Sequence, residues 1–233
     1  MEEIDLAESD RVTLGIISIA ERLLLLERSD FDVSTGLLIK YNRHHVFVIH
    51  NPDRWVVNGN KKEAGVVGVG GKLEQGETIL ECVKRECKEE INCDVEILDS
   101  EVTYVVTSEY VSKFTLEEAE KPRPYYIILL KVKEQDRRSY TVVFSYEGEI
   151  YGQPEPKDVS AVLLAQDSAL RYLRSLPTTV KFMKEHSAQI VERIHLPDDL
   201  YLRPCGTLLT YLRLKYWQKV NDIDIYLNLP LFS

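Results

Sequence analysis

The sequence predicts an α/β fold with helical segments at both ends. Three observations predict it. Runs such as Val46-Phe47-Val48-Ile49 and Tyr125 to Val132 are short, apolar and bounded by turn residues, the pattern of buried strands. A single strongly acidic helix follows a glycine-rich loop, with its start near Thr78. Toward each end, apolar residues recur at three- and four-residue spacing, the period of an amphipathic helix.

Residues 3 to 28 read as a helix, with Val12, Ile16, Ile19, Leu23 and Leu26 on its apolar side. Val33 to Tyr41 and His45 to Ile49 read as two strands joined by the turn Asn42-Arg43-His44. The second is apolar on both faces, which places it centrally in a sheet. Asn51-Pro52-Asp53-Arg54 is a loop, Trp55-Val56-Val57 a short apolar run, and Asn58 to Lys62 a polar tip. Ala64 to Gly71 leads into the glycine loop. Beyond the acidic helix, Asp94 to Leu98 and Val102 to Thr107 read as strands. Ser112 to Arg123 is expected as a loop or a loop with a short helix, and Gln135 to Ser139 as a turn. Tyr125 to Val132, Tyr140 to Tyr146 and Val159 to Leu164 are further strands, and Asp167 or Ser168 caps a helix through Leu173. Thr178 to Ile194 is expected as one helix, broken by Leu196-Pro197-Asp198-Asp199. Thr207 to Val220 reads as a helix and Ile223 to Phe232 as a terminal strand. The expected organisation is an N-terminal extension over 1–30, a main domain over 31–195 and a C-terminal helical extension over 196–233.

The chemistry gathers in Gly70 to Cys93. Gly70, Gly71 and Gly76 permit backbone conformations and close approaches that side chains block. Thr78 and Glu81 form a capping-box signature. Glu86, Glu89 and Glu90 stand three and four residues apart and share one helix face. Ile79, Leu80, Val83, Cys87 and Ile91 gather on a neighbouring face, the one expected to be buried. A solvated acidic face has the same spacing. A hard divalent cation is the alternative, because Mg2+ takes carboxylate oxygen and relieves the repulsion among three anions.

These residues resemble the Nudix box, the signature of Nudix hydrolases. Its pattern is Gly, five residues, Glu, seven residues, Arg-Glu, an apolar residue, any residue, Glu-Glu, any residue, Gly, an apolar residue. Gly71, Glu77, Arg85, Glu86, Glu89 and Glu90 fall at the family spacing, and Cys87 and Cys93 take the apolar slots. Asn92 stands where the family has Gly, and Asn is the next most tolerant residue of a left-handed helix end. The resemblance implies a Nudix-type α/β/α sandwich with a mixed β-sheet. It implies a metal-dependent pyrophosphohydrolase that cleaves the diphosphate linkage of a nucleoside diphosphate joined to another group X. Glu86, Glu89 and Glu90 would hold Mg2+, with Mn2+ as substitute, helped by the Gly70 carbonyl. Arg85 would fix Glu89, and Glu77 would support the loop and helix. The general base would be a box Glu or one from a later loop, where Glu109, Glu117, Glu118 and Glu120 stand. Tyr110 lies where Nudix subgroups carry substrate-selecting residues. A catalytically weak Nudix-fold nucleotide sensor is the alternative. A Nudix-fold isomerase of isoprenoid diphosphates ranks lower, since its catalytic Cys would lie on the sheet.

Composition bounds the rest. With 44% hydrophobic and 29% charged residues, the chain has the make-up of a globular protein. Its net charge of -9 and lack of a dense basic run argue against nucleic acid as a partner. Cys82, Cys87, Cys93 and Cys205 lack the spacing of a zinc site and read as small buried thiols of a reducing compartment. No signal-peptide pattern or stretch of membrane-spanning length occurs, so a cytoplasmic location with no membrane partner is expected. The terminal extensions are where a homodimer would form. His44, His45 and His50 read as turn or surface residues, with phosphate or base contacts as the alternative, and Trp55, Tyr125 and Tyr126 as core aromatics unless they stack on a base.

Overall fold

A computed structural model of the chain describes residues 31–107, 111–114, 121–133, 138–175, 178–186 and 188–217. The expected N-terminal helix and terminal strand lie outside these residues, as do Glu109, Tyr110, Glu117, Glu118 and Glu120.

The strands are β1 (Phe31–Tyr41), β2 (His44–Ile49), β3 (Val56–Asn58), β4 (Lys61–Val67), β5 (Val95–Leu98), β6 (Thr103–Val106), β7 (Val111–Phe114), β8 (Tyr126–Lys133), β9 (Arg138–Ile150), β10 (Ala161–Ala165), β11 (Thr178–Thr179), β12 (Ala188–Glu192) and β13 (Tyr201–Pro204). The helices are α1 (Ile79–Ile91), α2 (Asp167–Ser175), α3 (Val180–Glu185) and α4 (Gly206–Trp217). The main run of the sheet is β11-β13-β4-β2-β1-β9-β8-β6-β7, and β10 bridges β2 to β12. Pairing is parallel between β1 and β9, β4 and β13, and β6 and β8, and antiparallel elsewhere. The β1–β2 hairpin turns through Asn42 and Arg43, both at positive φ, as a two-residue hairpin between twisted strands requires.

Helices cover both faces, which makes an α/β/α sandwich around a mixed sheet. Alternate residues of the central strands enter opposite cores. On one face Leu37, Ile39, Val46 and Val48 pack against Ile79, Val83, Cys87 and Ile91 of α1. On the other, Leu38, Phe47 and Ile49 pack against Leu170 and Leu173 of α2, Met183 of α3, and Leu208 and Leu212 of α4. Tyr126 is fully buried in this second core and donates its hydroxyl proton to the Thr207 carbonyl at 2.6 Å, so it is a core aromatic.

Three expectations are corrected. The helix expected over Thr178 to Ile194 is only α3, followed by the strand β12. His186 stacks on Phe182 at 3.8 Å and bonds its carbonyl at 2.8 Å, which closes the helix early. Ile190 and Val191 then face opposite cores, and β12 pairs with β10 over Ala161 to Ala165. Val111 to Phe114, placed largely in a loop, is strand β7 against β6. Residues 201–204, placed in a helical extension, form β13, which runs parallel to β4 from Tyr201 to Pro204.

His45, expected at a turn or on the surface, is instead buried and ties three elements together. Its Nε2 lies 2.9 Å from Asp167 Oδ1 and 3.3 Å from the Tyr211 hydroxyl. Lys215 completes the group by bonding both Asp167 and Tyr211. Among the described residues the Nδ1 of this buried ring has no partner, so in the neutral ring the proton belongs on Nε2. Burial lowers its pKa, outweighing the Asp167 carboxylate that raises it, with Lys215 and Lys40 acting in the same sense as burial. A base with a lowered folded pKa contributes stability above its unfolded value, lost as pH falls toward the folded one. His45 therefore contributes a fall in melting temperature as pH drops below about 6.5, against the opposite trend of Glu86 and Glu90, and His45→Gln should remove that contribution and so change the slope relative to wild type. An unchanged slope in the variant would contradict the assignment.

Candidate active site

The glycine loop is laid along β1. Leu37 donates to the Val69 carbonyl at 2.7 Å, Thr35 to Gly71 at 2.8 Å, and Leu73 to Val33 at 3.0 Å. Two contacts demand glycine. A Cβ on Gly70, whose φ is +151°, would lie 2.3 Å from the Thr35 carbonyl oxygen. A Cβ on Gly71 would lie 2.1 Å from Glu86 Oε1, so the missing side chain makes room for the carboxylate.

Helix α1 then starts where its sequence dictates. Thr78 Oγ1 accepts from the Glu81 amide at 3.3 Å, and Glu81 Oε2 accepts from the Thr78 amide at 2.8 Å. Ile79, Cys82, Val83, Cys87 and Ile91 form the buried face; Leu80 is only half-buried, and Cys82 takes the place expected for it. Burial pushes the Cys82 thiol up to about 11 and Cys87 to about 12, so both are inert packing residues. The helix ends on Asn92 at φ 57°, ψ 27°, the left-handed cap expected of it. Asn92→Gly is expected to be neutral or stabilising by a few tenths of a kcal/mol, read from a denaturant midpoint. A large loss would mean that the Asn side chain matters. The carbonyls of Glu90 and Ile91 accept from Lys157 at 2.9 Å and Glu155 at 3.0 Å, which ties the loop before β10 to the helix end.

The predicted residues divide into two groups. Arg85 organises the first. Its Nε and one terminal nitrogen fork onto Glu77 at 2.8 and 3.1 Å, and its other terminal nitrogen reaches Glu86 and Glu89, each at 2.8 Å. It also donates to the Lys72 carbonyl at 3.1 Å, so one guanidinium joins loop, helix start and helix middle. The hydrogen bond from Arg85 lowers the Glu77 pKa, and the Glu77 carboxylate also accepts from the Glu74 amide at 3.1 Å. Glu89 has its side chain 51% exposed, against 13% for Glu86.

Glu86 and Glu90 form the second group, with Gly70 and Gly71, at a cavity of about 610 Å3. Glu90 accepts from the Gly70 amide at 3.1 Å. Burial pushes its carboxyl up to about 8 against that hydrogen bond, with the Glu86 charge adding to the rise. Glu86 is also raised, by burial, although Arg85 opposes. Among the described residues no three His, Cys, Asp or Glu side chains converge as a ready metal-ligand set. Glu89 is not among the residues that line the cavity.

Apart from His50, for which a phosphate or base contact was the alternative, sequence reasoning missed the rest of the cavity lining. His50, Asn51, Asp53, Arg54 and Asp158 line the same cavity, and Gly206 and Thr207 of α4 close another side. The charged turn directly after a two-faced apolar strand was the available signal. Trp55, Tyr125 and Tyr126 are absent from the lining; Trp55 donates its ring N–H to the His50 carbonyl at 2.8 Å. No helix among the described residues is long and apolar enough to cross a membrane.

The NUDIX domain family model matches residues 30–174. Similar solved structures include the E. coli ORF135 protein in solution (10% identity, TM-score 0.43, 83% of this chain and 96% of that one). They also include a NUDIX-family hydrolase from Clostridium perfringens (17%, 0.40, 65% and 87%) and a MutT protein from Methanosarcina mazei (12%, 0.35, 57% and 75%). Among curated proteins none matches. The family match spans more than half of the 233 residues and encloses the whole Gly70–Cys93 run, and on that ground the chain belongs to the Nudix hydrolase family.

Proposed function

We propose that the protein is a metal-dependent pyrophosphohydrolase cleaving the diphosphate linkage of a nucleoside diphosphate joined to a second group X. One observation carries this reading. Glu86 and Glu90 line the same cavity beside the glycine loop, both partly desolvated, while Arg85, the guanidinium paired with Glu86, is also spent on Glu77 and Glu89. Two half-buried carboxylates that share only part of one guanidinium fit a hard cation with oxygen preference.

Glu86, Glu90 and the Gly70 carbonyl would hold Mg2+ or Mn2+, with Glu89 joining on release from Arg85. A cation held there neutralises phosphate oxygens and lowers the pKa of a bound water. The chain's own residues do the positioning. Gly71 leaves room for the Glu86 carboxylate, Arg85 holds its Oε1, and the Gly70 amide holds Glu90. Glu86, Glu90, Asp53 and Asp158 are the cavity carboxylates available to accept a proton from water.

The test is a phosphate-release screen with Mg2+ and Mn2+. Its substrates are nucleoside triphosphates, ADP-ribose, NADH, nucleotide sugars and dinucleoside polyphosphates. Turnover on at least one, lost with chelator, is expected. No turnover on any would favour a nucleotide sensor instead.

A further inference from the structure

Resting on that reading, we propose that Arg54 is the substrate-phosphate clamp of this cavity. Its guanidinium holds, from the wall opposite α1, the phosphoryl group that the carboxylate wall leaves unpaired.

The cavity is electrostatically hostile to a diphosphate. Glu86, Glu90, Asp53 and Asp158 all line it, in a chain of net charge -9. A cation bound at Glu86 and Glu90 offsets one end of the substrate, and the other end needs its own positive partner. The lining offers two basic side chains, Arg54 and Lys72. Lys72 is bound to Asp32 at 3.0 Å. Nearby, Arg193 is held by the Val159 carbonyl and Asn51, and Arg203 lies 3.6 Å from Glu63. Arg54 has no ion pair among the described residues. It lines the cavity together with His50, Glu86 and Glu90.

The turn that carries Arg54 is built to hold it still. Pro52 to Arg54 is a single 3-10 turn, closed by the Arg54 amide on the Asn51 carbonyl at 2.9 Å. The Asn51 side chain donates to the Asp158 carbonyl at 2.8 Å and accepts from Ser160 at 3.2 Å and Arg193 at 3.0 Å. Trp55 packs on the core behind the turn. The Arg54 side chain is itself exposed and must still be ordered on binding, but a turn anchored in this way adds no loop ordering to that cost. The planar fork matches two phosphate oxygens at once, which an ammonium cannot do.

The experiment is calorimetric binding of methylenediphosphonate, a non-hydrolysable diphosphate mimic, with Mg2+ present. Wild type, Arg54→Ala, Arg54→Lys and the charge-matched control Lys181→Ala are compared, each checked for an unchanged melting temperature. Arg54→Ala is expected to weaken binding by about 10- to 100-fold, the worth of charge-assisted hydrogen bonds. Arg54→Lys should recover only part of it, and Lys181→Ala should bind as wild type. With any substrate from the screen, Arg54→Ala should raise KM more than it lowers kcat. Wild-type affinity in Arg54→Ala, or equal losses in Arg54→Ala and Lys181→Ala, overturns the clamp. The two readings fail separately. Mimic binding through Arg54 without turnover removes the hydrolase and keeps the clamp, whereas turnover with KM unchanged in Arg54→Ala removes the clamp alone.

Discussion

Glu90→Gln is expected to lower Mg2+-dependent turnover by on the order of 10²- to 10³-fold, the usual loss when a group that stabilises transition-state charge is removed, while the fold survives. The amide keeps an oxygen to accept from the Gly70 N–H, so the loop-helix contact at 3.1 Å is retained. It loses the charge that burial already disfavours, so stability should hold or rise slightly. The effect should therefore be chemical and not structural. Steady-state kinetics with a Mg2+ titration, alongside a denaturation curve, separates the two. Turnover within a few-fold of wild type would remove Glu90 from the mechanism, and a collapse of stability would show that its charge is structural.

Arg85→Ala should act on the fold itself. It strands Glu77 and Glu86, whose side chains are only 12% and 13% exposed, without their cation. Breaking a partly buried ion network by removing one partner costs about 1–3 kcal/mol, between the surface and the buried cases; the contact with half-exposed Glu89 adds little. Arg85→Lys should fail to restore it, because a point charge cannot occupy the fork on Glu77 and reach Glu86 and Glu89 together. A denaturant midpoint within 0.5 kcal/mol of wild type, about the scatter of surface substitutions, would contradict this account. Activity should fall in both variants, since Glu86 loses the group that aims its Oε1.

The contrast between these residues explains what the sequence could show. The start of α1 was legible because its capping box is local: Thr78 and Glu81 are three residues apart and need no tertiary partner. The left-handed Asn92 was legible for the same reason. The grip of Arg85 on Glu77 was not, because Glu77 precedes the helix and the loop must fold back to meet it. Strand β12 was misread as helix because its fate is set by β10, almost thirty residues earlier. Arg54 escaped notice because only the pairing of β2 with β1, β4 and β10 brings the turn after β2 to face α1. The division of labour within the box was equally hidden. Spacing puts Glu86, Glu89 and Glu90 on one face, yet Arg85 draws Glu89 outward and the glycine loop draws Glu90 in.

The pairing of β13 with β4 bears on where the chain can be cut. The segment matched as a Nudix domain stops at residue 174, but β4 feeds the glycine loop and shares its edge with Tyr201 to Pro204. Leu208, Leu212 and Leu214 are buried against the sheet, and Thr207 closes the cavity. A truncation after 174 would bare an unpaired strand edge and an apolar face at once, the combination that drives self-association. The smallest autonomous unit is therefore expected to include β13 and α4. Limited proteolysis should yield a soluble core retaining α4, and a stable fragment ending near 174 would show that the C-terminal strand and helix are dispensable.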